Sequence, residues 1–200
     1  MIFHRRTVLG AAMAVAMSLS APVAMALSED EARAHVGTTI DELQALLETA
    51  GTSASRAPEL RRIMETRANM PLIAKFASGR AWREMNDQQQ SRYTDAFARF
   101  ISNTYARRFD EFSGSPKIDI GKTIDAGRKG ILVETLLSQS GGQPIAVEWL
   151  VSDRGGRVEI IEMVVEGISM ATTQREEIGA MLDKRGGDVE ALIKDLESST

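Results

Sequence analysis

The sequence of 200 residues contains no cysteine. Disulfide bonds and thiolate metal sites are therefore excluded, and packing alone must stabilise the fold. Histidine is almost as scarce, and the sequence contains two, His4 and His35. Since zinc sites and activated nucleophiles draw mainly on imidazole and thiol groups, the sequence predicts no metal site, no catalytic residue and no cofactor.

An excess of basic residues is missing as well. The chain carries 24 lysines and arginines against 28 acidic residues, for a formal charge of −4. Nucleic-acid binding depends on basic side chains that neutralise phosphates, so the sequence predicts no nucleic-acid partner. The glycine patterns of the Walker and Rossmann nucleotide sites are also absent from the sequence.

The N-terminal apolar run is too short to cross a membrane. It covers residues 8–19, whereas a spanning helix needs roughly 20 residues. Two arginines precede the run and the small-residue triplet Ala24–Ala26 follows it, which is typical of a secretory signal peptide cut after that triplet. The paired arginines leave the Sec and twin-arginine export routes both open. The sequence thus predicts a signal peptide at 1–26 and a single exported domain at 27–200.

The first half of the exported part has the spacing of helices. Ser28 and Glu31 form a capping-box pattern before an apolar stripe that continues to about residue 50. The stretch at 51–55 ends this helix, and Ala57-Pro58 and Met70-Pro71 each place a proline in the first turn of a further helix.

A long helix is predicted from Asn86, with Gln89 as its capping partner, to about Phe112. Its apolar stripe is mostly aromatic and wide enough to face a core along the whole length. Aromatic residues make up 5% of the sequence, so their concentration on one helix is either ordinary core or the wall of an apolar cavity. The stripe consists of Tyr93, Phe97, Phe100, Ile101, Tyr105, Phe109 and Phe112.

From residue 115 the apolar period changes to two, which is typical of strands. Glycine pairs at 141–142 and 155–156 suit tight hairpins, so the strands are predicted to be antiparallel. Two closing helices follow, capped by Thr173 and Asp188. The four predicted strands cover residues 117–123, 129–139, 143–152 and 157–165. Helices, then a four-stranded antiparallel sheet, then two closing helices are the pattern of an α+β domain.

The segment VVEGISM at 164–170 approximates the turn that carries a nucleophilic serine in hydrolases. Ser169 would need a base, but His35 lies far upstream, whereas α/β-hydrolases place the histidine after the serine. We therefore interpret Ser169 as a cap of the next helix, with a serine esterase as the alternative.

Glu162 alternates with Val158, Ile160 and Val164, so the period predicts that it shares their apolar strand face. A carboxylate in such a place needs a partner. We expect a hydrogen-bond donor or an arginine beside it, the candidates being Arg67, Arg80 and Arg175.

Four segments together resemble a known family. They are GRAWR at 79–83, RYTDAFARFISNTYARRFDEFSG at 92–114, GQPIAVEWLV at 142–151 and VEIIEMVVEGISMATTQREEI at 158–178. Their order and spacing are similar to those of the phospholipid-binding component of the Mla (maintenance of lipid asymmetry) transport system, also called the toluene-tolerance family.

The resemblance implies a periplasmic carrier, a monomer, that holds phospholipid acyl chains in an apolar cavity between its sheet and its helices. It also implies two protein partners, an outer-membrane lipoprotein complex and the MCE-domain subunit of an inner-membrane ABC transporter, between which the carrier would shuttle lipid without hydrolysing it. A related branch of the family accompanies hopanoid metabolism, so a hopanoid is an alternative cargo.

The predicted lining of this cavity combines the long helix with the sheet. Ile160 and Met163 point to opposite faces of a regular strand, so without a bulge one of them faces the cavity, and Ile160 is favoured. The full set is Phe97, Phe100, Ile101, Tyr105, Val133, Val147, Trp149, Ile160, Met163 and Ile168.

Overall fold

The computed structural model of the protein describes residues 27–48, 51–109, 116–138 and 142–199. The predicted signal peptide lies outside the described residues, as do Gly141 and the predicted ends of the long helix at Phe112 and of the second strand at Gln139. The described helices are Glu29–Glu48 (α1), Ser53–Arg67 (α2), Met70–Ser78 (α3), Asp87–Phe109 (α4), Met170–Lys184 (α5) and Val189–Ser198 (α6). The described strands are Lys117–Asp125 (β1), Ile131–Ser138 (β2), Ile145–Ser152 (β3), Glu159–Val165 (β4) and Ile168–Ser169 (β5).

Local hydrogen bonds explain where most helices begin. The Glu31 carboxylate accepts the Ser28 N–H at 2.9 Å, while the Glu31 N–H donates to the Ser28 hydroxyl at 3.2 Å. The same reciprocal pair joins Asn86 and Gln89 before α4, at 3.1 and 2.9 Å. Both predicted capping boxes are therefore confirmed.

Two helix starts differ from the prediction. α2 begins at Ser53, because the carbonyl of Thr52 accepts both the N–H and the hydroxyl of Ser55, which closes a first turn before the proline. Pro58 consequently lies inside α2 rather than in its first turn. α5 begins at Met170, before the cap predicted at Thr173, and its cap is Ser169, as the interpretation of the VVEGISM segment predicted.

The sheet has five strands, not four, in the order β1-β2-β3-β4-β5 with every neighbouring pair antiparallel. The additional strand β5 follows a tight turn in which Glu166 and Gly167 have φ angles of 51° and 79°. It pairs with the end of β4, where Val165 lies opposite Ile168. Two residues are too few to show a strand period, which is why the sequence pattern missed it.

A bulge in β4 decides which side chains share a face of the sheet. Trp149 pairs with Met163, whereas Val151 pairs with Ile160, so one extra residue, Ile161, is accommodated between them. Ile160 and Met163 therefore lie on the same face, so the preference for Ile160, which assumed a strand without a bulge, does not apply. The regular period predicted that Glu162 shares the strand face of Ile160. Because of the same shift, Glu162 lies on the opposite face.

The buried residues form three groups. The sheet cluster joins α1 to the inner face of the sheet, and includes Val36, Ile40, Val133, Val151 and Ile160. The helical cluster packs α3, α4 and α6 together, and includes Ala74, Tyr93, Phe97, Leu192 and Leu196. The third group packs α2 against α1 and α4, and includes Leu46, Leu60, Ile63 and Ala106. Over the described ranges, no helix has both the length and the apolar character needed to cross a membrane.

Candidate functional site

The predicted lining residues of α4 belong to the helical cluster. Phe97, Phe100 and Ile101 are buried there, and Phe97 is fully enclosed by its stacking on Tyr93, with ring centroids 5.9 Å apart. Tyr105, one turn beyond Ile101, is half-buried and contacts both the helical cluster and the third cluster. The aromatic stripe is thus core at its middle and more open towards its C-terminal end.

The predicted lining residues of the sheet share its inner face. Val133, Val147, Trp149 and Ile160 are buried in the sheet cluster, and Met163 is half-buried against it. Ile168 is not brought to either set, because it lies at the sheet edge with 58% of its surface exposed. The structure therefore separates the ten candidates into a helical set, a sheet set and one outlying residue.

The polar atoms of the inner face are satisfied. The Trp149 indole N–H donates to the Thr135 hydroxyl at 2.9 Å, and that hydroxyl donates to the Val147 carbonyl at 3.0 Å. Thr135 is 5% exposed and Trp149 is 9% exposed. Since a buried donor without a partner is costly, this relay allows the indole to lie in an otherwise apolar cluster.

Four half-buried residues connect the three clusters, and we call them the seam: Leu43, Met64, Ala68 and Tyr105. Ala68 contacts the helical and sheet clusters, Leu43 the sheet and third clusters, and Met64 the helical and third clusters. These side chains therefore mark the place where the three cores meet, and each keeps part of its surface accessible. Leu43, Met64 and Ala68 were not predicted as lining, because their meeting depends on how three layers pack and not on local spacing.

One end of the seam carries polar groups. The Tyr105 hydroxyl lies 3.6 Å from the Met170 sulfur, and burial is the main cause that raises the pKa of Tyr105. The Gln174 side chain beside it is 4% exposed, yet neither its amide nitrogen nor its oxygen has a hydrogen bond of good geometry within the described residues. Gln174 lies between Ala171 and Ile178 on the buried face of α5. That polar residue in an apolar helical stripe was the sequence signal for this group, and it was overlooked.

Ser169 and Glu162 form a structural contact. The Ser169 hydroxyl donates to the Glu162 carboxylate at 2.7 Å and accepts the Thr172 N–H at 3.1 Å, so it caps α5 as expected. Glu162 also accepts the Ala171 N–H at 3.1 Å. The predicted hydrogen bond to Glu162 is confirmed, whereas none of the three candidate arginines reaches it. The histidine that an esterase would need is engaged elsewhere, with the Nε2 atom of His35 at 2.8 Å from the Arg67 carbonyl.

A family model described as the MlaC protein matches residues 34–198. The chain belongs to the MlaC family. This match confirms the resemblance that the four sequence segments indicated, and it includes all ten predicted lining residues and the whole seam. No curated protein sequence matches the chain.

A solved structure has the same fold as this MlaC family member. It is a phospholipid-binding protein from Ralstonia solanacearum in complex with a phospholipid, with a TM-score of 0.66 and 20% sequence identity over 84% of this chain and 96% of that one. At this identity the likeness establishes the α+β fold. In the described part of the chain, no group of three or more histidine, cysteine or acidic side chains is placed to hold a metal ion.

Proposed function

We propose that this protein is a periplasmic carrier that holds the acyl chains of a phospholipid in the seam between its sheet and its helices. Membership of the MlaC family supports this proposal, as does the shared fold with a protein that was solved with a phospholipid. The observation that carries it is the seam itself, where half-buried apolar side chains join the three cores.

The energetics of lipid extraction set what such a site must provide. Removing a long acyl chain from a bilayer costs on the order of 10 kcal/mol, at about 0.8 kcal/mol for each buried methylene. The site must therefore replace the apolar surroundings almost completely. Trp149, Met163 and Tyr105 supply apolar surface from two sides, and the flexible thioether of Met163 suits chains of different length.

The polar end of the seam fits the polar part of a lipid. The Gln174 amide, which has no hydrogen bond of good geometry within the described residues, offers a donor and an acceptor in a buried place, which suits the ester and hydroxyl oxygens of a phospholipid. We assign Gln174 to this contact, with the Tyr105 hydroxyl beside it. The acyl chains then extend from this end along the inner face of the sheet.

Membership of the MlaC family supports a proposal for the place of the carrier in transport. We propose that it shuttles lipid between an outer-membrane lipoprotein complex and the MCE-domain subunit of an inner-membrane ABC transporter, and that it carries out no chemistry on its cargo. A hopanoid remains the alternative cargo, and lipid extraction from the purified protein distinguishes the two.

Native mass spectrometry of the purified protein tests the proposal. We expect the wild type to carry phospholipid and Met163→Trp to carry much less, because a larger ring on the inner face occupies the space of an acyl chain. The matched control is Leu136→Trp, an apolar-to-Trp change on the opposite face of the same sheet, where Leu136 is 43% exposed. Wild-type protein that stays empty after incubation with phospholipid vesicles would refute the function. Equal lipid content in both variants would refute this location of the site.

A further inference from the structure

A shallow cleft of about 280 Å³ lies where α3 and the following 3-10 turn at Gly79–Arg83 meet α5. Four of its lining side chains are cationic, namely Lys75, Arg80, Arg83 and Arg175, and no acidic side chain lines it. Phe76 and Trp82 provide aromatic walls. This cleft shares no residue with the seam or with the predicted lining.

The four cations of the cleft have no counter-ion in the part of the chain that the structure describes. Two arginines elsewhere show the usual alternative, since Arg67 pairs with Glu42 at 2.6 Å and Arg92 pairs with Glu190 at 2.7 Å. Acidic residues outnumber basic ones in the sequence, so four unpaired cations around one cleft indicate an anion from outside the chain.

Aromatic rings hold two of these cations in place without neutralising them. The Arg175 guanidinium lies 5.2 Å from the centre of the Phe76 ring, and the Lys75 ammonium lies 5.9 Å from that of Trp82. Gly79 has a φ angle of 59°, and a Cβ atom there would come within 3.4 Å of the Arg175 guanidinium. The positive φ angle is what requires glycine at this turn, and the turn lies in van der Waals reach of Arg175, whose planar donors suit a phosphate group.

Exposed apolar side chains adjoin the cleft. Leu72 is 46% exposed and Phe76 is 43% exposed, and because they are four residues apart on α3 they lie on one side of the helix. Lys75 lies between them in the sequence. Apolar side chains beside unpaired cations are typical of protein surfaces that bind anionic membranes. The apolar side chains enter the membrane interface, and the cations contact the lipid phosphates.

We propose that the α3 cleft is a membrane-contact site, which binds the phosphate of an anionic phospholipid headgroup in a bilayer while Leu72 and Phe76 enter the interface. An anionic bilayer is the partner that we infer, because its negative charge is complementary to the four cations of the cleft. This contact is separate from the proposed cargo site and brings the carrier directly onto the lipid surface.

Co-sedimentation with vesicles tests the site. We expect the wild type to bind vesicles of phosphatidylcholine mixed with phosphatidylglycerol more strongly than vesicles of phosphatidylcholine alone, and to release them as salt is raised. Arg80→Gln combined with Arg83→Gln should weaken binding to the anionic vesicles roughly thirty-fold at low salt, because each cation near an anionic surface contributes about a five-fold factor. The matched control, Lys184→Gln combined with Lys194→Gln, removes the same charge from exposed positions outside the cleft and should bind almost as the wild type does.

Further measurements separate the possible outcomes. Equal losses in the two double variants would overturn the proposal, because net charge and not the cleft would then govern binding. Binding of inorganic phosphate by the cleft without binding to vesicles would also overturn it, in favour of a soluble anion. Native mass spectrometry of the same variants should show unchanged lipid cargo, and circular dichroism should show an intact fold. If the cleft variant loses its cargo but still binds vesicles, the cleft belongs to the cargo site and the membrane contact is refuted.

Discussion

At the scale of single residues, Glu162 shows how one carboxylate organises a chain reversal. It accepts hydrogen bonds from the Ser169 hydroxyl and from the Ala171 N–H, at 2.7 and 3.1 Å. The last strand of the sheet and the first turn of α5 are therefore joined through a single side chain. Negative charge at the start of a helix is also favourable for the helix dipole. The serine that resembles a nucleophile belongs to this junction.

Replacing Ser169 by alanine separates the capping role from the esterase alternative. The change removes the acceptor of the Thr172 N–H, so we expect the free energy of unfolding to fall by about 1 kcal/mol. Lipid content should not change, and neither the wild type nor the variant should hydrolyse esters. Denaturant unfolding and a panel of ester substrates check these outcomes, and Ser169→Thr serves as the control that keeps the hydroxyl. Ester hydrolysis that disappears in the alanine variant and returns in the threonine variant would establish the esterase.

At the scale of elements, the junction between α2 and α3 is fastened to the edge of the sheet. The Asn69 N–H donates to the Ile160 carbonyl at 2.9 Å, and the Asn69 side-chain amide donates to the Glu159 carboxylate at 2.7 Å. The same side chain accepts the Leu72 N–H and so caps α3. Glu159 is 4% exposed and also pairs with Arg157. One asparagine thus connects a helix start to a buried carboxylate in β4.

Asn69→Ala should therefore cost more than the loss of an ordinary helix cap. We expect a loss of about 2 to 4 kcal/mol, because a lost cap costs about 1 and a buried carboxylate oxygen that loses a donor costs roughly 1 to 3 more. Asp188→Ala is the control, since Asp188 caps α6 through the Ala191 N–H at 3.1 Å and should cost about 1 kcal/mol. Chemical denaturation measures both variants. If the two losses are equal, the Glu159 contact contributes nothing.

The elements also show what could and could not be predicted from the sequence. The capping boxes at Ser28 and Asn86 were predictable, because both partners lie within one turn. The bulge at Ile161 could not be located, because it depends on the register with β3, and Glu162 on an apolar strand face was its one local sign. On α4 the spacing predicted an apolar stripe, but burial of Phe97 and partial exposure of Tyr105 are decided by helices distant in sequence.

At the scale of the whole molecule, the function that we propose would make stability and cargo binding interdependent, because the three clusters meet in the seam. A ligand that fills the seam adds apolar contacts to the three clusters at once, and it stabilises the folded state according to its concentration and affinity. The Gln174 amide is buried beside Tyr105 without a hydrogen bond of good geometry within the described residues, so the empty protein would bear the cost of a poorly satisfied polar group. The folded protein is therefore expected to be most stable when loaded.

Comparing loaded and delipidated protein tests this interdependence together with the role of Gln174. Removing the lipid should lower the free energy of unfolding by about 3 kcal/mol relative to protein with lipid at roughly 100 times its dissociation constant. Gln174→Leu should stabilise the empty form by about 1 to 2 kcal/mol and the loaded form less, because only the empty form leaves the amide unpartnered. The difference in free energy of unfolding between loaded and delipidated protein should therefore be smaller in this variant than in the wild type.

Gln90→Leu is the control. The Gln90 amide already donates to the Trp82 and Met85 carbonyls at 3.0 and 3.3 Å, so its loss should destabilise the loaded and the empty form alike. Thermal unfolding before and after delipidation measures this stability difference for the wild type and for the variant, and native mass spectrometry follows the lipid content. A stability difference in Gln174→Leu as large as in the wild type would show that the amide does not meet the cargo.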